Sequence, residues 1–212
     1  MGKSMNTKNL SAILIYDALY KSSYDGLKLL SDENFITEVD KKAMLYYSKY
    51  NDDKRTKEEV IKDVLIGEMG EHAILKLCQE AGLKAEHNNE KLTKELYWDL
   101  LIEGLKVEVK FQGEGFADAN PRKFFSFNNK KKEGLMLSHW RSYDLIISFY
   151  IRESGFNNLI VPWFIIDSKA MDPTNLAYDG EPYYRPSKFG GNYLDFKAEK
   201  AGLMKRLNVI NK

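Results

Sequence analysis

The sequence of 212 residues contains a single cysteine, Cys78, and three histidines. One cysteine cannot form an intramolecular disulfide and leaves no cysteine-based zinc site. His72, His87 and His139 do not have the spacing of metal ligands. Lysine and arginine together number 32, against 31 aspartates and glutamates. Because these charges nearly cancel, no overall basic field indicates a nucleic-acid partner, and any such binding would depend on local patches.

The sequence also lacks an apolar run long enough to cross a membrane, and no signal peptide is recognisable. We therefore expect a soluble, cytoplasmic protein that has no membrane partner. A length of 212 residues, of which 43% are hydrophobic, is sufficient for one sizeable core with a small accessory region.

The most informative segment runs from Trp98 to Lys110 and predicts a tight β-hairpin. Glu103-Gly104 is close to the Asn-Gly and Asp-Gly signals of two-residue turns. Counting outward from this turn gives four cross-strand pairs: Ile102 with Leu105, Leu101 with Lys106, Leu100 with Val107, and Asp99 with Glu108. Since side chains alternate along a strand, one face of the hairpin is apolar and the other carries the charged residues.

The charged face places Asp99 opposite Glu108, with Lys110 two residues further along. Like charges directly opposite each other destabilise a sheet unless a positive group relieves the repulsion. Lys110 can do this in part, and Mg²⁺, which prefers hard oxygen ligands, can do it better. The alternative is an exposed face on which all three residues are ordinary solvated charges. The hairpin alone leaves both interpretations open.

A long helix is predicted upstream, from Lys57 to Ala81, by apolar residues at helical spacing. Thr56 is the expected N-cap and Gly82 the expected stop. Glu71 is the one charged member of an otherwise apolar or small stripe on this helix. A buried acid needs a partner. Glu71 therefore either faces the hairpin or is a helix-edge acid paired with a lysine.

Two neighbours of Glu71 bear on its orientation. Gly67, one turn earlier, is expected to let the helix approach a sheet at that point. Glu68 lies on the neighbouring stripe, nearer to the boundary of the apolar face, and is the less favoured candidate for an inward-facing acid.

These segments together resemble the PD-(D/E)XK nuclease superfamily, which has the restriction-endonuclease-like fold. The residues that carry the resemblance are Gly67-Glu68-Met69-Gly70-Glu71, Trp98-Asp99-Leu100 and Val107-Glu108-Val109-Lys110. The superfamily pattern is a glutamate on a helix, an acidic residue on one strand, and Asp/Glu-x-Lys on the next strand. Trp98 replaces the proline before the acid, a departure that many members share. The resemblance covers about residues 57–166.

The resemblance implies roles for individual residues. The catalytic positions are Asp99, Glu108, Lys110 and Glu71, and the ligands of Mg²⁺, for which Mn²⁺ can substitute, are Asp99, Glu108 and Glu71. Lys110 would stabilise charge on the attacked phosphate or position the water. Glu68 and Gln112 are accessory candidates.

The resemblance also implies an α/β fold, in which helices flank a central mixed β-sheet. We expect an N-terminal helical region at residues 1–55, the nuclease-like core at 56–170, and a loop and C-terminal helix at 171–212. The implied activity is that of a DNA endonuclease of the restriction or phage type. Double-stranded DNA is the expected partner, and a homodimer is expected because one active site per subunit cuts one strand. The alternatives are a non-catalytic nucleic-acid-binding protein that keeps this fold, and a protein-interaction module.

A basic and aromatic segment follows the hairpin. Its basic residues, which suit phosphate contacts, are Arg122, Lys123, Lys130, Lys131 and Lys132. Alternatively, Phe125 and Phe127 face the core from a strand that ends in a solvated lysine turn. The two interpretations are compatible with each other.

Residues 8–50 predict two or three amphipathic helices, which could cap the core, form a dimer surface or contact DNA. Packing against the core is the simplest of these. Five elements are predicted after the hairpin. They are strands at 143–151 and 159–166, the second with Pro162 at an edge or bulge, a turn at Asn157-Asn158, a long loop at 172–191, and a helix at 195–211.

Overall fold

The computed structural model describes residues 7–50, 55–88, 98–111, 125–126, 144–154, 157–167, 176–178, 181–184 and 193–195. The helices are α1 (Thr7–Leu19), α2 (Gly26–Leu30), α3 (Glu33–Tyr50) and α4 (Lys57–Glu80). The strands are β1 (Tyr24–Asp25), β2 (Ala85–His87), β3 (Leu100–Ile102), β4 (Leu105–Phe111), β5 (Phe125–Ser126), β6 (Leu145–Ser154), β7 (Asn157–Asp167), β8 (Leu176–Tyr178), β9 (Glu181–Tyr184) and β10 (Tyr193–Asp195).

The described strands form a mixed sheet and a smaller one, so the predicted α/β class with a mixed sheet is confirmed. The main sheet has the order β1-β7-β6-β4-β3-β2, and β10 also pairs with β7. Its neighbours are antiparallel except for β4 and β6, which are parallel. The smaller sheet has the order β5-β9-β8.

The predicted hairpin is confirmed as the pair β3–β4. Its register pairs Leu100 with Val107, Leu101 with Lys106, and Ile102 with Leu105, as counting from the turn predicts. Glu103 and Gly104 have φ values of 49° and 75°. Positive φ at both central residues is what a type I′ turn requires. Glu103 is held in this conformation by the backbone of Lys84, whose N–H donates to the Glu103 carboxylate at 2.6 Å and whose carbonyl accepts from the Glu103 N–H at 2.8 Å.

The predicted helix is confirmed as α4, and its two ends have the expected chemistry. The Thr56 hydroxyl accepts a hydrogen bond from the Glu59 N–H at 3.2 Å, and the Glu59 carboxylate accepts one from the Thr56 N–H at 2.7 Å. This reciprocal capping box fixes the first turn. Gly82 follows the C-cap residue Ala81 with a φ of 81°, a left-handed conformation that favours glycine.

The close approach of α4 to the sheet occurs at Gly70, and the prediction that it occurs at Gly67 is wrong. A Cβ atom at Gly70 would lie 2.0 Å from Cε1 of Phe149, which is fully buried on β6. A Cβ atom at Gly67 would meet no atom within 4 Å. The missing side chain at Gly70 therefore allows the Phe149 ring to pack against the helix backbone.

The N-terminal helices pack into the same core as α4 and the main sheet. Their buried members are Ile15, Tyr16 and Leu19 from α1, Leu29 from α2, and Phe35 and Val39 from α3. The expectation of two or three helices over residues 8–50 is thus confirmed, with three present. None of the helices in the described part of the chain is both long enough and apolar enough to cross a membrane.

The two strands predicted after the hairpin are confirmed as β6 and β7, but the turn between them is misplaced. Asn157 and Asn158 pair with Ser154 and Glu153, so they begin β7 and do not form the turn. Pro162 pairs with Phe149 next to a register shift between β6 and β7, at which Trp163 is the residue without a partner in the register, in agreement with the predicted bulge. Proline is tolerated beside a bulge because the hydrogen-bonded ladder is locally disrupted there.

The predicted loop at residues 172–191 contains the short strands β8 and β9, so that prediction is wrong for those segments. Its glycines and prolines suggested irregular structure, but strands of three or four residues are too short to show a reliable alternation. The helix predicted at residues 195–211 lies outside the described residues apart from Asp195, which ends β10.

We expect Gly70→Ala to lower the free energy of unfolding by about 1–3 kcal/mol, because the added methyl group overlaps the buried Phe149 ring. Gly67→Ala is the matched control on the same helix. It should raise the free energy of unfolding by up to about 1 kcal/mol, since alanine favours a helix and the position is open. Urea denaturation of both variants measures the difference. Equal stabilities for the two variants would contradict this packing.

Candidate active site

Asp99 lies one residue before β3 and is only 2% exposed. Its carboxylate oxygen Oδ2 accepts a hydrogen bond from the Val109 N–H at 2.6 Å. The Asp99 N–H donates to the carbonyl of Val107 at 2.8 Å, so the backbone pairing changes at this residue. The last pair of β3 and β4 is Leu100 with Val107. The pair predicted between Asp99 and Glu108 would be the next one, and the two strands are no longer paired in that register there. The carboxylate of Asp99 is placed beside the peptide bond that follows Glu108.

Glu108 is 6% exposed, and Lys110 Nζ contacts its carboxylate oxygen Oε1. The Lys110 side chain is 41% exposed, so its ammonium group lies at the boundary between the buried acid and solvent. The interpretation of this face as ordinary solvated charges is wrong for Asp99 and Glu108, because both are buried. Lys106, on the same strand, is exposed and lies with Nζ 4.4 Å from the centre of the Trp98 ring.

The two helix glutamates differ in their neighbours. Glu68 is 8% exposed, although it was expected nearer to the boundary, and its Oε2 lies 2.6 Å from Nζ of Lys42 on α3. The Glu71 side chain is 13% exposed, and its Oε2 lies 3.9 Å from Nδ1 of His87 on β2. Pairing with a lysine, which was one of the two alternatives for Glu71, is found at Glu68. Glu71 faces His87 on β2, the strand next to the hairpin.

His72 and His87 form a histidine pair that the sequence did not suggest. Their ring centres are 4.3 Å apart, and the edge of Phe35 packs on His72 with ring centres 4.8 Å apart. Nδ1 of His72 lies 3.0 Å from the carbonyl of Glu68. Since a carbonyl only accepts, this nitrogen carries the proton. The pair was missed because β2, which supplies His87, has only three residues and shows no readable alternation.

His87 is neutral at neutral pH. Burial, and secondarily the nearby His72 and Lys42, lower its pKa from 6.5 to about 3, although the charge of Asp99 acts in the opposite direction. The distance between His87 and Glu71 would suit an ion pair, but a neutral imidazole cannot form one. Burial also lowers the pKa of His72. The two histidines are therefore uncharged neighbours of Glu68 and Glu71.

The end of β2 also holds the chain that leads into β3. The N–H of Asn88 donates to the carbonyl of Asp99 at 2.8 Å. Its side-chain Nδ2 donates to the carbonyl of Trp98, also at 2.8 Å. Asn88 thus fixes the backbone at Asp99 from one side, while Val109 fixes its carboxylate from the other.

Two cavities adjoin these residues. One, of about 220 Å³, lies between α3 and α4 and includes Gly67, Glu68 and Glu71 in its lining. The other, of about 240 Å³, is lined by Glu38, Lys41, Lys42, His72 and His87. The ion pair between Lys42 and Glu68 contributes one member to each cavity. Both sides of α4 near its glutamates are therefore open to small groups.

The predicted site residues are thus brought together in part. Glu108 contacts Lys110, and the carboxylate of Asp99 accepts a hydrogen bond from the N–H of Val109, the residue between them. Within the described ranges, no three side chains of His, Cys, Asp or Glu lie close enough together to hold a metal ion. The remaining candidates, Gln112, Arg122, Lys123, Lys130, Lys131 and Lys132, lie outside the described residues.

Protein-family models, curated proteins and solved structures were compared with the chain, and none matches. Any functional proposal therefore rests on the residues of the site and their chemistry.

The lowered pKa of His87 predicts a pH-dependent stability. The unfolded chain takes up a proton near pH 6.5, whereas folded His87 stays neutral until about pH 3. The stability contributed by neutral His87 is present above pH 6.5 and is lost as the pH falls toward 3, at up to about 1.4 kcal/mol per pH unit. His87→Leu should therefore flatten the loss of stability between pH 6.5 and 4, as measured by urea denaturation at each pH. Parallel curves for the two proteins would contradict the assignment.

Proposed function

We propose that the protein is a metal-dependent nuclease that hydrolyses phosphodiester bonds, acting on DNA as an endonuclease. The observation that carries the proposal is the burial of two carboxylates, Asp99 and Glu108, on one short hairpin, with Lys110 in contact with the second. Buried charges lower stability unless they are compensated. Clusters of this kind are concentrated at functional sites.

The order of the elements supports this proposal. The helix α4, which carries Glu71, precedes the hairpin β3–β4, which is flanked by Asp99 and carries Glu108 and Lys110. This is the order of the superfamily pattern: helix glutamate, strand acid, then Glu-x-Lys. The hairpin strands β3 and β4 and the later strands β6 and β7 follow this helix in the chain and lie together in the main sheet.

The donor set fits Mg²⁺ or Mn²⁺ in its chemistry, because carboxylate oxygens are the ligands that hard divalent cations prefer. Asp99 and Glu108 would hold the ion, and Glu71 would contact it from the helix through a water or directly, as the resemblance implies. When bound, such an ion polarises a phosphoryl oxygen and lowers the pKa of a bound water.

The side chains around these acids have complementary roles. Lys110 reaches solvent while contacting Glu108, so its ammonium group can donate to a phosphate oxygen and balance the negative charge that develops there. The Val109 amide holds the carboxylate of Asp99 in one orientation. Nδ1 of His87, which burial keeps neutral, lies 3.9 Å from Oε2 of Glu71.

We expect the purified protein to cleave plasmid DNA in the presence of Mg²⁺ or Mn²⁺ and to stop when EDTA is added. Asp99→Asn and Lys110→Met should each lower the cleavage rate by about 100-fold or more, as expected when a group that stabilises the transition state is removed. Asparagine is preferred to alanine at position 99 because its side-chain oxygen can still accept the hydrogen bond from Val109. Supercoiled-plasmid nicking measures the rate.

Lys106→Met is the matched control, since Lys106 lies on the same strand but is exposed beside Trp98. It should cleave at the wild-type rate. Linear duplex DNA and RNA, tested in parallel, define the substrate class. A wild-type protein that cuts none of the three substrates would overturn the nuclease proposal. If that protein still shifts DNA in a gel with Ca²⁺, a non-catalytic nucleic-acid-binding protein becomes the preferred function.

A further inference from the structure

We propose that Ser148 is a positioning residue of the candidate active site, whose hydroxyl donates to the Glu108 carboxylate when the Lys110 ammonium group turns from Glu108 toward a phosphate. The placement of Ser148 beside these two residues comes from the register of β4 and β6, and the consequence for catalysis rests on the proposed nuclease function. Ser148 is fully buried, so it acts through Glu108 and does not touch the substrate.

The strand register places Ser148 on the face of the sheet that carries Glu108 and Lys110. In the parallel pair of β4 and β6, Lys110 is the partner of Ser148 and Glu108 is the partner of Ile146. Paired residues project to the same face, and neighbouring strands lie about 5 Å apart. Ser148 is therefore directly beside Lys110 and diagonally beside Glu108, a distance that a long side chain can span.

The surroundings of Ser148 do not explain its hydroxyl. Oγ is buried and makes no hydrogen bond within the described part of the chain. Ile146 and Tyr150, its neighbours on the same face of β6, are also buried. A buried hydroxyl without a partner lowers stability, and an alanine at this position would avoid that loss. The serine therefore needs a reason other than packing.

The contact between Lys110 and Glu108 supplies that reason. Nζ of Lys110 contacts Oε1 of Glu108, which is buried, whereas the Lys110 side chain is 41% exposed and can turn toward a phosphate at the surface. This movement takes one donor away from a buried carboxylate, whose charge is stabilised by each hydrogen bond that it accepts. The Ser148 hydroxyl can donate in its place without adding a charge. Its present lack of a hydrogen bond is the arrangement expected while Lys110 occupies Glu108.

The first test needs no substrate and measures the urea midpoint of Ser148→Ala in two backgrounds, the wild type and Lys110→Met. In the wild type, alanine removes a hydroxyl that makes no hydrogen bond, so the midpoint should rise. In Lys110→Met, the hydroxyl donates to Glu108, so the same substitution should lower the midpoint. Ile147→Val is the matched control, since Ile147 is buried on the opposite face of β6. It should lower the midpoint equally in both backgrounds.

The second test measures nicking of supercoiled plasmid. Ser148→Ala should lower the rate at saturating DNA by about 10-fold, a typical loss for one hydrogen bond to a charged group. The DNA concentration for half-maximal rate should not change, because Ser148 does not touch DNA. Ser148→Thr keeps the hydroxyl on a side chain that suits a strand and should recover most of the rate. Ile147→Val should cleave at the wild-type rate.

Two results would overturn the positioning role: a change in the same direction for Ser148→Ala in both backgrounds, or a wild-type cleavage rate in Ser148→Ala. Lys110→Ala provides the same comparison of backgrounds if Lys110→Met does not fold. Failure of the nuclease proposal is recognised differently. In that case the wild type cuts neither DNA nor RNA, and a reversal in the effect of Ser148→Ala between the backgrounds still shows that Ser148 can replace Lys110 at Glu108.

Discussion

The hydrogen bond from the Val109 amide to the carboxylate of Asp99 joins the two hairpin strands at the point where their backbone pairing changes. A carboxylate that is almost fully buried requires such a donor, because an uncompensated charge in the interior is strongly unfavourable. The bond also determines the neighbours of Asp99. Val109 lies between Glu108 and Lys110, which alternate with it along β4, so holding this amide places Asp99 next to both residues of the Glu-x-Lys pair.

The hairpin can bury its charged end because its apolar face is covered by α4. Leu100, Ile102 and Val107 are fully buried in the core that α4 shares with the sheet. The helix comes close enough because Gly70 has no side chain to displace the Phe149 ring. The helix glutamates are shielded by other elements. Lys42 of α3 lies 2.6 Å from Glu68, and His87 of β2 lies beside Glu71. The burial of these acids therefore depends on α3 and β2 as well as on the contact between α4 and the sheet.

The sequence predicted those features whose cause is local. The positive φ values of Glu103 and Gly104 follow from a two-residue turn, and this turn fixes the hairpin register without reference to the rest of the chain. The capping box at Thr56 and the stop at Gly82 are local in the same sense. The choice of Gly70 over Gly67 depends on a ring contributed from β6, and the contact of His87 with Glu71 depends on β2 lying beside β3. Neither partner is encoded near the residue concerned, so periodicity could not identify them.

The assignment of Glu71 over Glu68 also rests on long-range contacts. Both acids are largely shielded from solvent, and burial alone does not separate them. Glu68 lies 2.6 Å from the ammonium group of Lys42, so its charge is already balanced within the protein. Glu71 faces His87 on β2, with Nδ1 3.9 Å from its Oε2, and burial keeps this imidazole neutral. The two acids are three residues apart on one helix, yet α3 supplies the neighbour of one and β2 the neighbour of the other, so only the packing of these two elements against α4 distinguishes them.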